Sequence, residues 1–442
     1  MVDILVLGAT GFTGRLVTRY LYNHPQRAEF TFALGVRSIA KGEALKKSLG
    51  LDDSVQLVQL DVTNYDQLEA AVQNAKVVIN VVGPYWAWGS DVVKACALHG
   101  KRYVDLAGEP HFIRKIIDSY DYLATKTGAM IVPSCGMDSL PADITVFLSN
   151  RTLKRALGPE TELGLSQTFY AVRTRPSGGT LATVINSIEG APRVRVQEAH
   201  MDYALSPVHG HPSPPPTLAA RVPFSAPAKY GVSWVMGAAN RAVVQRTFGL
   251  TAFAYGYART LFGADAAEKQ QARLRPLTYG PRFRYAEYLL PGDASYLSAV
   301  VYGVCMAAAL AVFYVAPLRW LVKKFIPKSG EGQSDEEMEK GFLEATNYTE
   351  TASSPRKWAK SVMHAQGDPG YLLTASMIAE CALGLLLDDA DLPETARTGG
   401  VLTPATALGE VVVRRLEKTG RIRFESELVE GAEAEEESRK ER

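Results

Sequence analysis

Cysteine is scarce: Cys96, Cys135, Cys305 and Cys381 are the only four in 442 residues. They are too scattered to make a CxxC pair or a zinc spacing, so no metal site is expected. All four stand among apolar or small residues, which reads as buried thiols in a reducing compartment. Net charge is nearly absent as well. The balance of Lys and Arg against Asp and Glu is +1, with no basic surplus for a nucleic acid. No internal repeat is visible. The first apolar strand starts near residue 3, which leaves no room for a cleavable signal. His209 and His211 stand alone in a proline-rich loop, too few for a metal site. One segment, Ala294 to Pro317, lacks charge altogether.

What is present describes a globular protein. The chain is 47% hydrophobic and 21% charged, enough to build real cores, and its length suits two or three domains. The chain opens on an apolar strand, Ile4 to Leu7, followed by Gly8-Ala9-Thr10-Gly11-Phe12-Thr13-Gly14. Leu16, Val17, Tyr20 and Leu21 then recur at helical spacing. Three glycines at a strand-to-helix turn fit a dinucleotide pyrophosphate. Gly8 allows the turn, Gly11 clears the approach to backbone N–H groups, and Gly14 lets helix and strand pack closely. Gly8, Thr10, Gly11, Phe12, Thr13 and Gly14 are therefore cofactor-site candidates.

Further strands are expected at 30–34, 55–60, 77–82, 102–106 and 129–132, each separated by a helix. Six apolar strands in about 130 residues predict a doubly wound parallel sheet of Rossmann type. The second strand ends without the acidic residue that binds a ribose 2′-hydroxyl. Arg37, Ser38 and Lys41 stand there instead and suit a 2′-phosphate, so NADP is favoured with NAD left open. Asp61 ends strand three and either lies near the adenine edge or caps the next helix. Gly83 and Pro84 follow strand four and put bare backbone at the crevice. Tyr85, Glu109 and Asp138 each lie beyond the carboxyl end of a strand, where a catalytic group is wanted. Their plainer role is loop hydrogen bonding. Tyr122 and Lys126 match a Tyr-x-x-x-Lys spacing, but the helix carrying them packs on the sheet, and the match is set aside.

The rest of the chain reads as a second, α+β domain over 149–400, with an uncharged apolar segment at 294–318. A helix is expected from Ser177 to Ile188, a strand at 283–290, a helix over 372–387, and a last helix from Pro404 to Leu416. Residues 401–424 are expected to pack back on the first domain (1–148), and 425–442 to form a charged disordered tail. The uncharged segment is followed by Trp320, Lys323 and Lys324, flanks that suit a lipid interface. Residues 294–324 are therefore expected to touch a membrane or lipid droplet as a hairpin or shallow insertion, against the competing reading of a buried helix.

Several motifs together resemble the saccharopine dehydrogenase-like oxidoreductases. They are Gly8–Gly14, Val82-Gly83-Pro84-Tyr85, Tyr103 to Glu109, Cys135 to Asp143, Gly367-Asp368-Pro369-Gly370-Tyr371 and Thr403 to Gly409. The likeness covers nearly the whole chain except the tail and the proline-rich loop. It implies a Rossmann domain, a second α+β domain and NAD(P)-linked redox chemistry. Some members are trans-acting enoyl reductases of lipid or glycolipid synthesis. Eukaryotic members carry a similar uncharged segment and are found on lipid droplets and membranes. The resemblance thus implies an NADP-dependent reductase of a lipid-like substrate, membrane- or droplet-associated on the cytosolic side; cytoplasmic or mitochondrial placement is the alternative. The other function class kept open is a nucleotide-binding module without turnover. A homodimer is compatible with either.

Overall fold

The computed structural model describes residues 1–137, 139–174, 189–261, 264–315, 317, 320 and 332–429. Strand and helix alternate from the start: β1 (Val2–Leu7), α1 (Phe12–Tyr22), β2 (Phe32–Val36), α2 (Ile39–Leu49), β3 (Gln56–Gln59), α3 (Tyr65–Gln73), β4 (Ala75–Asn80), α4 (Tyr85–Leu98), β5 (Arg102–Asp105), α5 (Pro110–Thr127) and β6 (Met130–Val132). The strands pair in parallel in the order β6-β5-β4-β1-β2-β3. Ile4, Leu5, Val6 and Leu7 are all buried, as are Val77, Val78 and Ile79. A sheet covered on both faces needs such unbroken apolar strands, which is why they read so clearly in the sequence. The strand order reverses between β1 and β4, and a ligand crevice opens there.

The second unit begins with α6 (Leu140–Leu157) and β7 (Leu163–Arg173). After the segment 175–188, where the predicted helix lies outside the described residues, come α7 (Arg193–Ala199), β8 (Ala220–Arg221), β9 (Tyr230–Gly231), α8 (Gly237–Leu261), α9 (Ala264–Leu274), β10 (Arg284–Leu289) and α10 (Tyr296–Tyr314). Then follow α11 (Asp335–Glu339), β11 (Phe342–Thr351) and β12 (Trp358–Gln366). A π-turn at Pro369–Leu373 leads into α12 (Thr374–Leu387). The chain closes with β13 (Gly400–Val401), α13 (Pro404–Ala407), α14 (Glu410–Lys418) and β14 (Ile422–Leu428). A mixed sheet runs β10-β7-β11-β12-β14, with β10 parallel to β7 and the rest antiparallel. Helix α6 crosses its inner face and is buried almost all round. Polar residues of that face satisfy one another: Asn347 donates to Ser166 and Thr168, and Ser149 donates to Asn347.

The two units are interleaved. Helix α12, assigned by sequence to the second domain, lies on the first sheet against α1, β4 and β5. Helices α4 and α5 cover only one face of the β4–β6 half, so a helix from elsewhere must cover the other. Glu380 fixes it there, accepting from Tyr20 Oη at 2.6 Å, with His24 Nε2 at 2.8 Å and Arg415 Nη1 at 3.0 Å. Strand β13 pairs with β6 and makes the first sheet seven-stranded. The single helix expected from Pro404 is broken at Gly409, whose φ is +50°. Strand β14 reaches Leu428, four residues into the expected disordered tail, because Glu425 and Glu427 lie on its exposed face opposite Val362 and Lys360. Residues 430–442 lie outside the described set. Helices α8 and α9 were not expected at all.

The uncharged segment forms α10. Its base packs on β9, with Tyr296 and Tyr230 rings 5.4 Å apart. Beyond Ala294 and Ala299, which are buried, it is largely open to solvent: Leu297 is 72% exposed, Val304 58% and Val301 53%. It is not a core helix.

Candidate cofactor and active site

The glycine loop sits at the carboxyl end of β1, on the crevice. Gly8 has φ +86°, and a Cβ there would meet the Val81 carbonyl at 2.9 Å. A Cβ on Gly14 would collide with the Gly8 carbonyl. These two glycines are demanded by the chain itself. Gly11 is different: a Cβ there would meet only the Gly8 carbonyl, at 3.3 Å. What it leaves clear is the space before the N-terminus of α1. No side chain caps that helix, and its first turn carries no acidic residue. Its first N–H groups are thus free for an anion, and the helix dipole favours one. The loop fits a pyrophosphate.

On the β2 side, Arg37 is exposed at the end of the strand, and Ser38 caps α2 by accepting from the Lys41 N–H at 3.4 Å. Thr10 and Lys41, far apart in sequence, line one hollow of ≈290 Å³ with Ala44, Leu45 and Ser48. The glycine loop and Lys41 therefore share one edge of the crevice, a placement that suits a 2′-phosphate. Asp61 forms a turn, accepting from Thr63 N at 2.9 Å and Thr63 Oγ1 at 2.8 Å. It does not cap α3, since Asn64 does so by accepting from Gln67 N.

Across the switch point, the loops after β4, β5 and β6 form the opposite half of the crevice. A Cβ on Gly83 would meet nothing nearer than Tyr85 Cε2 at 3.9 Å, so Gly83 and Pro84 face open space. Tyr85 Oη donates to the Asn80 carbonyl at 3.0 Å and accepts from Leu106 N at 3.1 Å. Glu109 accepts from the N–H groups of Tyr85 and Trp86, each at 2.9 Å, and so caps α4. Both catalytic candidates thus hold the strand ends together. Asp138, the third, lies outside the described residues.

The residue that ties this half together is Asp105, which sequence reading did not single out. It is fully buried and accepts from Ala107 N, Ser134 N and Tyr103 Oη at 2.8–2.9 Å. Burial pushes its carboxyl up to about 6 against the pull of those donors. Asp368 plays the same part opposite. Buried at the π-turn, it accepts from Thr174 Oγ1 at 2.6 Å, Gln333 Nε2 at 3.2 Å and Tyr371 N at 2.8 Å. The Tyr371 ring meets Phe12 edge-on at 5.2 Å, and Thr374 Oγ1 accepts from Met137 N at 3.0 Å. End of β7, glycine loop and post-β6 loop thereby converge. Local donors such as Ala107 N and Tyr371 N give these residues the look of ordinary turn acids; what marks them as shared acceptors is the remote donors, Ser134 for Asp105 and Thr174 and Gln333 for Asp368, which a single sequence does not show.

Residues 4–132 match the family described as the saccharopine dehydrogenase NADP-binding domain. The chain is 35% identical over 439 residues to a trans-acting enoyl reductase of Mycobacterium tuberculosis, covering 95% of this chain and 96% of that one. The chain belongs to the saccharopine dehydrogenase-like family. A trans-acting enoyl reductase of Mycobacterium bovis is 32% identical over 428 residues, again covering 95% and 96%. Apo saccharopine dehydrogenase (L-Glu forming) of Saccharomyces cerevisiae aligns with 97% of this chain and 100% of its own, at TM-score 0.48 and 13% identity. This family member is an NADP-dependent oxidoreductase, and NADP is its cofactor. The glycine loop and the uncapped N-terminus of α1 fit a pyrophosphate, and the exposed Arg37 at the end of β2 suits a 2′-phosphate.

Proposed function

We propose that this oxidoreductase reduces the carbon–carbon double bond of an apolar, lipid-like acyl substrate at a membrane or droplet surface. The observation that carries the reading is the end-to-end likeness to relatives named trans-acting enoyl reductases, combined with an uncharged exposed helix in the same chain. NADPH, when bound, would supply a hydride to the β-carbon of a conjugated enoyl group, with a proton from solvent completing the saturated chain at the α-carbon. The chain's own residues bind, orient and exclude water. The α1 N-terminus anchors the pyrophosphate, and Asp105 and Glu109 fix the backbone beside the reacting ring.

The lipid part of the reading rests on α10. The excursion that contains it leaves the second sheet at Ala294, whose carbonyl accepts from Tyr230 N at 2.7 Å, and has returned by Gly332, which packs against the Phe12 ring. Both ends of the excursion are thus anchored in the folded body, one of them at the cofactor loop. That arrangement suits a shallow insertion with both ends on the cytosolic side, at a membrane or at the monolayer of a droplet. Trp320, 60% exposed, suits the interface; Lys323 and Lys324 lie outside the described residues.

The test is NADPH consumption with trans-2-enoyl thioesters of increasing chain length, with and without phospholipid vesicles. The reading expects turnover that rises with chain length and with vesicles. A protein that binds NADPH but leaves every enoyl thioester unreduced overturns it.

A further inference from the structure

Another buried carboxylate stands just behind the loop that follows β6. Glu287 lies on β10, facing inward opposite Thr168 of β7, and is only 7% exposed. Its Oε1 accepts from the Trp234 indole N–H and from Asn240 Nδ2, the latter at 2.9 Å. Its Oε2 accepts from Tyr285 Oη at 2.8 Å. Burial pushes the carboxyl up to about 7 in spite of three donors and of Arg241, the charged neighbour on α8. Nothing in the cofactor site described above uses this residue.

The chain of hydrogen bonds does not stop at Asn240. An amide has one donor end and one acceptor end. With Nδ2 committed to Glu287, Oδ1 must face the other way, and there it accepts from Ser139 Oγ at 3.0 Å. Ser139 is 1% exposed and Asn240 is fully buried. Ser139 occupies the N-cap of α6, where a serine ordinarily accepts a hydrogen bond from the helix's own N–H groups. Here no such cap bond is made. The hydroxyl has been drawn away from the helix and its proton spent on Asn240, so only its lone pairs remain to face anything else.

We propose that Glu287 is a positioning residue for the nicotinamide half of the crevice: acting through Asn240, it fixes the direction of the Ser139 hydroxyl in the loop after β6. The device is insensitive to the protonation of Glu287 itself. Oε1 already serves two donors that cannot turn into acceptors without cost. Oε2 serves one hydroxyl, which can accept as well as donate. A proton therefore goes to Oε2, Tyr285 turns to accept it, and Asn240 keeps its orientation.

This makes a specific pattern across variants. Glu287→Gln keeps a carbonyl oxygen for Trp234 and Asn240 and offers N–H to Tyr285, so the relay survives. Glu287→Met is of similar length but supplies no acceptor, so Asn240 loses its fixed orientation and Ser139 with it. Ser139→Ala removes the end of the relay directly. The readout is the emission of bound NADPH, excited directly, in the full-length protein without substrate. Glu287→Met and Ser139→Ala are expected to shift that emission in the same way, and the double variant no further. Glu287→Gln is expected to match the parent, and NADPH affinity to stay within about twofold throughout. If Glu287→Met does not fold, Asn240→Leu cuts the relay at its middle link and must give the Ser139→Ala signature. Parental emission in Ser139→Ala, in folded Glu287→Met or in Asn240→Leu overturns the proposal. So does a Glu287→Gln variant that behaves like Glu287→Met.

Discussion

At the scale of single residues, the three loop glycines do unlike work, and the difference is testable. Gly8 and Gly14 are required by the fold, whereas a Cβ at Gly11 would meet only the Gly8 carbonyl, at 3.3 Å, a contact that a small shift relieves. A methyl at Gly11 therefore intrudes on the ligand and spares the chain. Gly11→Ala is expected to lose NADPH binding, followed by fluorescence titration, with little change in thermal unfolding; equal affinity in both proteins contradicts the assignment. Arg37 makes a charge prediction. A charge-assisted contact to the 2′-phosphate is worth roughly 1.5–3 kcal/mol, so Arg37→Asp is expected to weaken NADPH by about ten- to a hundredfold and NADH little. Equal weakening of both shows that Arg37 has another role. The glycines and Arg37 were legible because their chemistry is local, set by one strand, one turn and one helix. Asp105, Glu287 and Asp368 were not. Each is an ordinary acidic residue until the fold brings a remote donor to it: Ser134 to Asp105, Asn240 to Glu287, Thr174 and Gln333 to Asp368. Tyr85 and Glu109 were found at the right strand ends, but their partners in the structure are backbone groups.

At the scale of elements, α10 is the exposed apolar helix, and its burial pattern sets the experiment. Leu297, Val301 and Val304 each expose more than half their surface, so replacing all three with Asp removes apolar area without cutting into a core. The parent protein is expected to float with membranes or droplets on a density gradient, and the triple variant to stay soluble with the same unfolding temperature. A parent that stays at the bottom of the gradient contradicts the lipid reading. The same scale explains what the sequence concealed. Strands β1 and β4 were clear from their apolar stretches, Ile4–Leu7 and Val77–Ile79. Helix α8 was missed because Gly249, Gly256 and several threonines interrupt its apolar positions, so no stripe emerges. Helix α12 was seen, but not its place: an apolar helix buried on one sheet looks the same in sequence as one buried on another. Strand β13 is two residues long and gains its identity only from pairing with β6.

At the scale of the whole molecule, the interleaving of the two units ties cofactor site, second sheet and core into one buried polar framework, and that framework titrates. Burial raises Glu287 to about 7 and both Asp105 and Asp143 to about 6. A carboxyl raised on folding holds its proton in the native state where the unfolded chain has released it. Stability is therefore highest below the ordinary carboxyl values near 4 and falls as pH rises from about 4 to about 7, by an amount on the order of a few kcal/mol. The urea midpoint is expected to drop over that range, and less steeply in Glu287→Gln; a midpoint that rises with pH contradicts the burial of these groups. The central claim is that this framework presents NADPH to an apolar enoyl group. Its most direct test uses NADPH carrying deuterium at the transferable position, a long-chain trans-2-enoyl thioester in phospholipid vesicles, and mass spectrometry of the product. The account predicts a saturated acyl chain carrying one deuterium at the β-carbon. A product without deuterium, or an unreduced chain alongside bound NADPH, contradicts it.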